Sequence, residues 1–112
     1  MNSAVHIIDL QEYRTPGAKV FTTRPRGIEV RDKTKINQIE PNFDKIIVKI
    51  PIDISSINPS FLEEFFEGVI TKLGEEGFRN KFSFENEGRY KIDSDLSEAI
   101  DRVLREESAL AY

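Results

Sequence analysis

The chain has 112 residues, 38% of them apolar and 32% charged, and a net charge of −4. That length supports one hydrophobic core, not two, and that balance describes a globular domain, not a disordered segment. Its apolar runs are too short to span a bilayer, MNSAVHIIDL lacks the basic start and long apolar stretch of a signal peptide, and zero cysteines exclude disulfides and thiolate metal sites and point to a cytoplasmic address.

The charge is unevenly placed. Residues 1–52 hold 9 Lys/Arg against 6 Asp/Glu, and residues 53–112 hold 7 against 14. The positive excess gathers at 14–35, where Arg14, Lys19, Arg24, Arg26, Arg31, Lys33 and Lys35 face only Glu29 and Asp32. A basic cluster on one face is what an otherwise acidic chain needs to hold nucleic acid or a phosphate ligand. A solvated basic loop is the plainer reading.

In chain order, Ala4–Leu10 reads as a strand. Residues 11–26 carry Thr15-Pro16-Gly17 and Arg24-Pro25-Arg26, which are turn signals, with room for a short strand at Lys19–Thr22. Ile28 and Val30 alternate with Glu29 and Arg31, which predicts a half-buried strand. Ile36 and Ile39 predict a short helix over Thr34–Glu40, ended by Pro41. Lys45–Pro51 is the clearest strand, its near-continuous apolar run suiting a central position covered on both faces. Ser60–Leu73 is the clearest helix. Its stripe is Phe61, Leu62, Phe65, Phe66, Val69, Ile70 and Leu73, with Phe61 nearer the edge. Asn58 is the expected cap, with Pro59 at the first helical position, and Gly74 the stop. Phe78–Phe84 and Arg89–Ile92 are read as strands, Glu85–Gly88 as a turn, Ser94–Glu107 as the last helix and Ser108–Tyr112 as a frayed tail. The order predicts a mixed sheet of four to five strands with two to three helices packed on it, in a single α/β domain.

Catalytic chemistry is thinly represented. Glu63, Glu64 and Glu67 lie off the apolar stripe, as a solvated helix face does. Glu63 and Glu67 with Asp53 lack a further ligand for a metal. Ser60 has no base near it in sequence, Gly74 and Gly77 miss the phosphate-loop pattern, and His6 sits among apolar neighbours as a structural histidine. No catalytic residue, metal site or cofactor is expected. The segment that stands out is 45–74, where a polar turn is fixed between the most apolar strand and the most apolar helix. Ser55, Ser56, Asn58 and Ser60, extended by Glu63, Glu64 and Glu67, form the expected docking edge for a protein partner. Arg24, Arg26 and Arg31 form the alternative basic surface.

The stretches GIEVRD (27–32), FDKIIVKIPIDISSINPSFLEEFFEGVITKLG (43–74) and KFSFEN (81–86) resemble the bacterial STAS-like domain of unknown function family, related to the STAS domains of anti-sigma-factor antagonists. The resemblance spans a little over half of the chain. It implies a STAS-like fold and a non-enzymatic regulatory role in binding a partner protein, an ATPase of the histidine-kinase-like superfamily. Such antagonists carry an Asp-Ser-Ser-Gly turn before the helix, and a serine of it is phosphorylated. Here the turn falls on Asn58, Pro59, Ser60 and Phe61. Pro59 replaces the first serine and has no hydroxyl, so the resemblance implies an interaction surface without the usual phosphoswitch, with Ser60 or Ser56 as a shifted acceptor.

Overall fold

The computed structural model describes the backbone of residues 4–110 and the side chains of residues 4–106. Strand β1 (Val5–Asp9) leads through a 3-10 turn and a loop to the two-residue strand β2 (Val20–Phe21). Helices α1 (Arg24–Thr34) and α2 (Ile36–Ile39) follow, then strand β3 (Lys45–Ile50) and the two-residue strand β4 (Ser56–Ile57). Helix α3 (Pro59–Lys81), strand β5 (Phe82–Asn86) and helix α4 (Asp93–Leu110) complete the chain. The class is α/β.

Every strand pairing is parallel. One sheet has the order β1-β3-β5, and β2 pairs with β4 in a separate two-stranded piece. The expected mixed sheet of four to five strands with two to three helices is thus corrected, among the described residues, to parallel sheets of three and two strands with four α-helices. The reason is that β1 and β3 are each followed by a helical crossover, and crossovers return the chain parallel. The order advances in one direction without reversing, so right-handed crossovers place all the helices on one face. Helix α3 accordingly lies between α1 and α4.

β3 is central, as expected, but among the described residues it is covered on one face only. Ile46, Val48 and Ile50 are buried under the helices, while Lys45 and Lys49 on the alternate face are exposed. Along β1 the same alternation buries Ile8 and leaves Val5 and Ile7 48% and 51% exposed.

Helix α3 starts where its signals place it. Asn58 is the cap, its Oδ1 accepting from the Ser60 amide at 2.8 Å, and Pro59 occupies the first position. Leu62, Phe65, Phe66, Val69 and Ile70 are buried as expected. Phe61 is also fully buried, not at the edge, because Phe21 of β2 covers that flank with ring centroids 5.1 Å apart. Gly74, at φ 74° and ψ 173°, kinks the helix without ending it. The chain re-enters helix to Lys81, so 78–81 is helical where a strand was expected. Phe78 and Phe82, one turn apart, stack at 4.6 Å and carry the chain into β5.

The strand expected over Ile28–Val30 is the interior of α1. Its start signals are Thr23, whose Oγ1 accepts from the Arg26 amide, and Pro25 in the first turn, which had read as part of a loop. Gly27, Val30 and Thr34 are its buried positions, at helical spacing. A Cβ on Gly27 would lie 2.4 Å from the Phe61 carbonyl oxygen, so this glycine sets how closely α1 approaches α3. Arg89–Ile92 is a loop, not a strand. The tail expected to fray is helical to Leu110, and residues 111 and 112 lie outside the described residues.

Glu40, 2% exposed, is the most deeply held carboxylate on the α2 side of the core. Lys72 of α3 donates to it at 2.8 Å, and Lys81 donates both to its side chain and, at 2.8 Å, to its carbonyl oxygen. Burial pushes its pKa up, but the two ammonium groups outweigh that and hold it below the ordinary carboxylate value. A carboxylate depressed on folding contributes stability that is present above its unfolded pKa and lost as pH falls through the folded one. Glu40→Gln is therefore expected to cost about 1–3 kcal/mol at neutral pH and to flatten the loss of urea resistance between about pH 5 and about pH 3. Urea titrations of both proteins across that range check both outcomes.

Candidate functional site

The loops at the C-terminal ends of β3 and β5 form the candidate site. In parallel sheets this end is where recognition loops collect. After Ile50 the chain runs through Pro51–Ser55 to β4, and after Asn86 through Glu87–Tyr90 towards α4. Between these two loops lies an open cleft of about 600 Å³, lined by Ile52, Asp53, Ile54 and Ser55 on one side and Glu87, Gly88, Arg89 and Tyr90 on the other. Ile54 is buried, whereas Ile52 is 66% exposed, the most exposed large apolar side chain described.

Several contacts hold the cleft in shape. Arg14 donates to both carboxylate oxygens of Asp53, at 2.7 and 3.1 Å, and to the Ala18 carbonyl oxygen. Hydrogen bonding from Arg14 holds the Asp53 carboxyl below the usual range against a smaller opposing effect of burial. The Ser55 amide donates to the Lys19 carbonyl oxygen at 2.7 Å and its hydroxyl to the same oxygen at 3.1 Å, tying the loop to the segment before β2. On the far wall, the Gly88 amide donates to Asn86 Oδ1 at 2.8 Å. A Cβ on Gly88 would lie 2.2 Å from the Ile52 carbonyl oxygen, so only glycine lets the two loops approach this closely. The Tyr90 hydroxyl donates to Asp95 Oδ2 at 2.7 Å and lies 3.2 Å from the Ile57 carbonyl oxygen. Burial, and then Asp95, push its pKa well up, so it stays neutral as a donor.

The sequence-predicted residues divide into two groups. Ser55, Ser56 and Asn58 are exposed on the strand–helix turn, and Ser60 is half-buried in the first turn of α3. Glu63 is not on a solvated face: it is 3% exposed, 3.2 Å from Arg24 of α1 and 3.7 Å from Arg102 of α4. Glu64 is half-buried, 3.2 Å from Arg24 and 3.9 Å from Arg31. Glu67 stays exposed, 4.0 Å from Arg31. The expected acidic face of α3 is therefore largely covered, because α1 is a helix that packs on it where a strand or loop was expected.

The same contacts relocate the basic surface. Arg24 and Arg31 point into these glutamates, and Arg26 pairs with Glu29 at 2.8 Å and donates to the Tyr13 carbonyl oxygen. The two surfaces that sequence sets against each other are the two sides of one ion-paired seam. What sequence reasoning missed is the partner wall of the cleft, Glu87–Tyr90. Its signal was present in Asn86-Glu87-Gly88, an Asx turn ahead of the last helix.

His6 packs against Phe43 with ring centroids 4.8 Å apart. Among the described residues no three His, Cys, Asp or Glu side chains gather as metal ligands do, and no helix is long and apolar enough to cross a membrane. Comparison of the chain with protein-family models, curated proteins and solved structures finds no match.

The seam makes a differential prediction. Glu64→Lys places a third cation against Arg24 and Arg31 and is expected to cost about 1–3 kcal/mol of stability. Glu67→Lys, on an exposed carboxylate, is expected to stay within about 0.5 kcal/mol of the parent. Thermal unfolding of the two variants, read side by side, checks the ordering.

Proposed function

We propose that the domain is a non-enzymatic protein-binding module of the STAS-like kind, working in the cytoplasm. Its partner engages the strand–helix turn Ser55–Ser60 and the adjoining cleft. The observation that carries the reading is Ile52, an isoleucine held out in solvent beside a preformed cleft. An apolar side chain in that position costs free energy in water, and a partner's apolar group covers it on docking. The polar rim of Ser55, Glu87 and Arg89 supplies orientation. The STAS resemblance supports the same end of the fold and an ATPase of the histidine-kinase-like superfamily as the partner class.

A phosphate-ligand or nucleic-acid role through Arg24, Arg26 and Arg31 is less well supported, because those guanidiniums are already paired with carboxylates. Releasing Arg24 and Arg31 for phosphate would break the α1–α3 seam.

The test is affinity capture from the native host, with the retained protein identified and then re-bound in purified form. Ile52→Asp is expected to keep the parent's melting temperature and to weaken that binding by roughly tenfold or more. Binding that survives Ile52→Asp but is lost in Arg24→Glu with Arg26→Glu, in protein whose melting temperature is unchanged, places the surface on α1 instead. Binding that collapses steeply with salt and carries nucleic acid supports the second reading. Incubation with such an ATPase and ATP is expected to leave the intact mass unchanged, since Pro59 stands where an acceptor serine belongs. A phosphate mapped to Ser56 or Ser60 overturns that point.

A further inference from the structure

We propose that the domain self-associates through the free edge of β1, pairing antiparallel with β1 of a second copy about a two-fold axis at Ile7, so that two three-stranded sheets become one of six strands. The argument begins with what β1 lacks. Among the described residues no strand pairs with its outer edge. An unpaired row of amides and carbonyls is a template for another strand, and folded proteins guard such rows with charges, proline or bulges. Within β1 the sequence is VHIID, with its only carboxylate at the last position. The opposite edge is guarded: β5 presents exposed Glu85, and Asn86 at its end turns its side chain onto Gly88 and Tyr90.

The open face decides how a second copy fits. By strand register its rows are Val5 with Lys45, then Ile7, Ile47 and Ser83, then Asp9, Lys49 and Glu85. Stacking two such faces about a two-fold axis through β3 sets Lys49 over Lys49 or Lys45 of the other copy, which is repulsive. Edge pairing keeps those lysines apart. Centred on Ile7, it places Ile7 beside Ile7 of the second copy and joins Ile47-Ile7 from each copy into one apolar band. It also places Asp9 opposite Val5 of the second copy, with Lys45 one strand further on. That lysine is roughly 10 Å away between Cα atoms, two strand spacings, within the reach of its extended side chain. Among the described residues Lys45 has no ion-pair partner in its own chain, and the Asp9 carboxylate accepts from the Gln11 amide at 3.0 Å with Lys49 beside it in register, so Lys45 of the second copy adds a further cation to Asp9. The pairing is therefore complementary in charge at both ends of an apolar centre. A five-residue strand and this band are smaller than a permanent interface, so the dimer dissociates on dilution.

Sedimentation velocity from low micromolar to near-millimolar chain is the test. The parent is expected to shift from monomer to dimer across that range. Ile7→Lys brings two ammonium groups together at the axis and is expected to weaken dimerisation by at least about tenfold. Lys45→Glu is expected to weaken it through repulsion from Asp9, and Lys45→Glu combined with Asp9→Lys to recover it. Asp32→Lys, on the exposed side of α1, is expected to match the parent. A parent that stays monomeric throughout overturns the proposal, as does dimerisation unaffected by Ile7→Lys. If circular dichroism shows Ile7→Lys to be misfolded, the charge-swap pair decides: failure of the double variant to recover over Lys45→Glu overturns it.

Discussion

The burial of the apolar face of α3 in the core is the interaction on which the other elements depend. Phe61, Leu62, Phe65, Phe66, Val69 and Ile70 are all buried in one helix. At about 1.5–3 kcal/mol for each side chain removed from water, this face supplies stabilisation of the same order as the net stability of a whole small domain. It also fixes position. α3 occupies the middle of the helical layer, so α1 and α4 are placed by contact with it, and β2 is placed because Phe21 must cover Phe61. The ring contacts Phe61–Phe65, Phe65–Phe66, Phe66–Phe78 and Phe78–Phe82 run through this layer to β5. Aromatic packing therefore links the first turn of α3 to the third strand of the sheet.

Against this apolar frame the buried charges act as locators. Burying an ion pair gains little net stability, but leaving one member unpaired is costly. Glu63 has arginines on two different helices within ion-pair distance, and Glu40 has lysines at two well-separated places along α3 and its continuation. Sliding α1 along α3, or rotating the segment after Gly74, leaves one of these carboxylates buried without its cation. The charge asymmetry of the sequence, basic early and acidic late, is consumed in this way: much of it becomes contact between α1 and α3, not a field offered to solvent.

What sequence made legible follows from how local the signals are. The strand at 45–50, the cap at Asn58 and the stripe of α3 rest on neighbours within one or two turns, and all three are found where expected. The errors lie where a pattern of few residues supports two periods. Ile28 and Val30 alternate as a strand does, yet Val30 and Thr34 also mark one side of a helix, and only the packing of Gly27 against Phe61 favours the second. Gly74 carries the backbone signal of a helix stop, but Phe78 is drawn into the aromatic core and the chain resumes helix. The burial of Glu63 was illegible for the same reason, because it depends on where α1 goes. Of the candidate site, the turn at 55–58 was legible. The wall at 87–90 was not, since nothing local says which loop lies opposite which.

The strand order has a consequence for where interactions can occur. A parallel sheet usually has helices on both faces, and here an order that never reverses leaves one face without a helix among the described residues. The helical face is closed by the α1, α3 and α4 layer, and its charged groups are largely spent on one another. The surfaces left for partners are the loop end of the sheet, the bare face and its free edge. They carry three of the four large apolar side chains exposed among the described residues, Ile52, Val5 and Ile7; the fourth, Val20, lies on β2. Scattered exposed apolar residues need no explanation, but these are not scattered: Val5 and Ile7 occupy one side of one edge strand, and Ile52 follows the end of its neighbour. Asp9 and Lys49, paired in register, border a second small cleft that also includes Ile52. The edge and the cleft therefore meet at the C-terminal ends of β1 and β3, and a second copy on β1 would stand beside the docking loop without covering its far wall at Glu87–Tyr90.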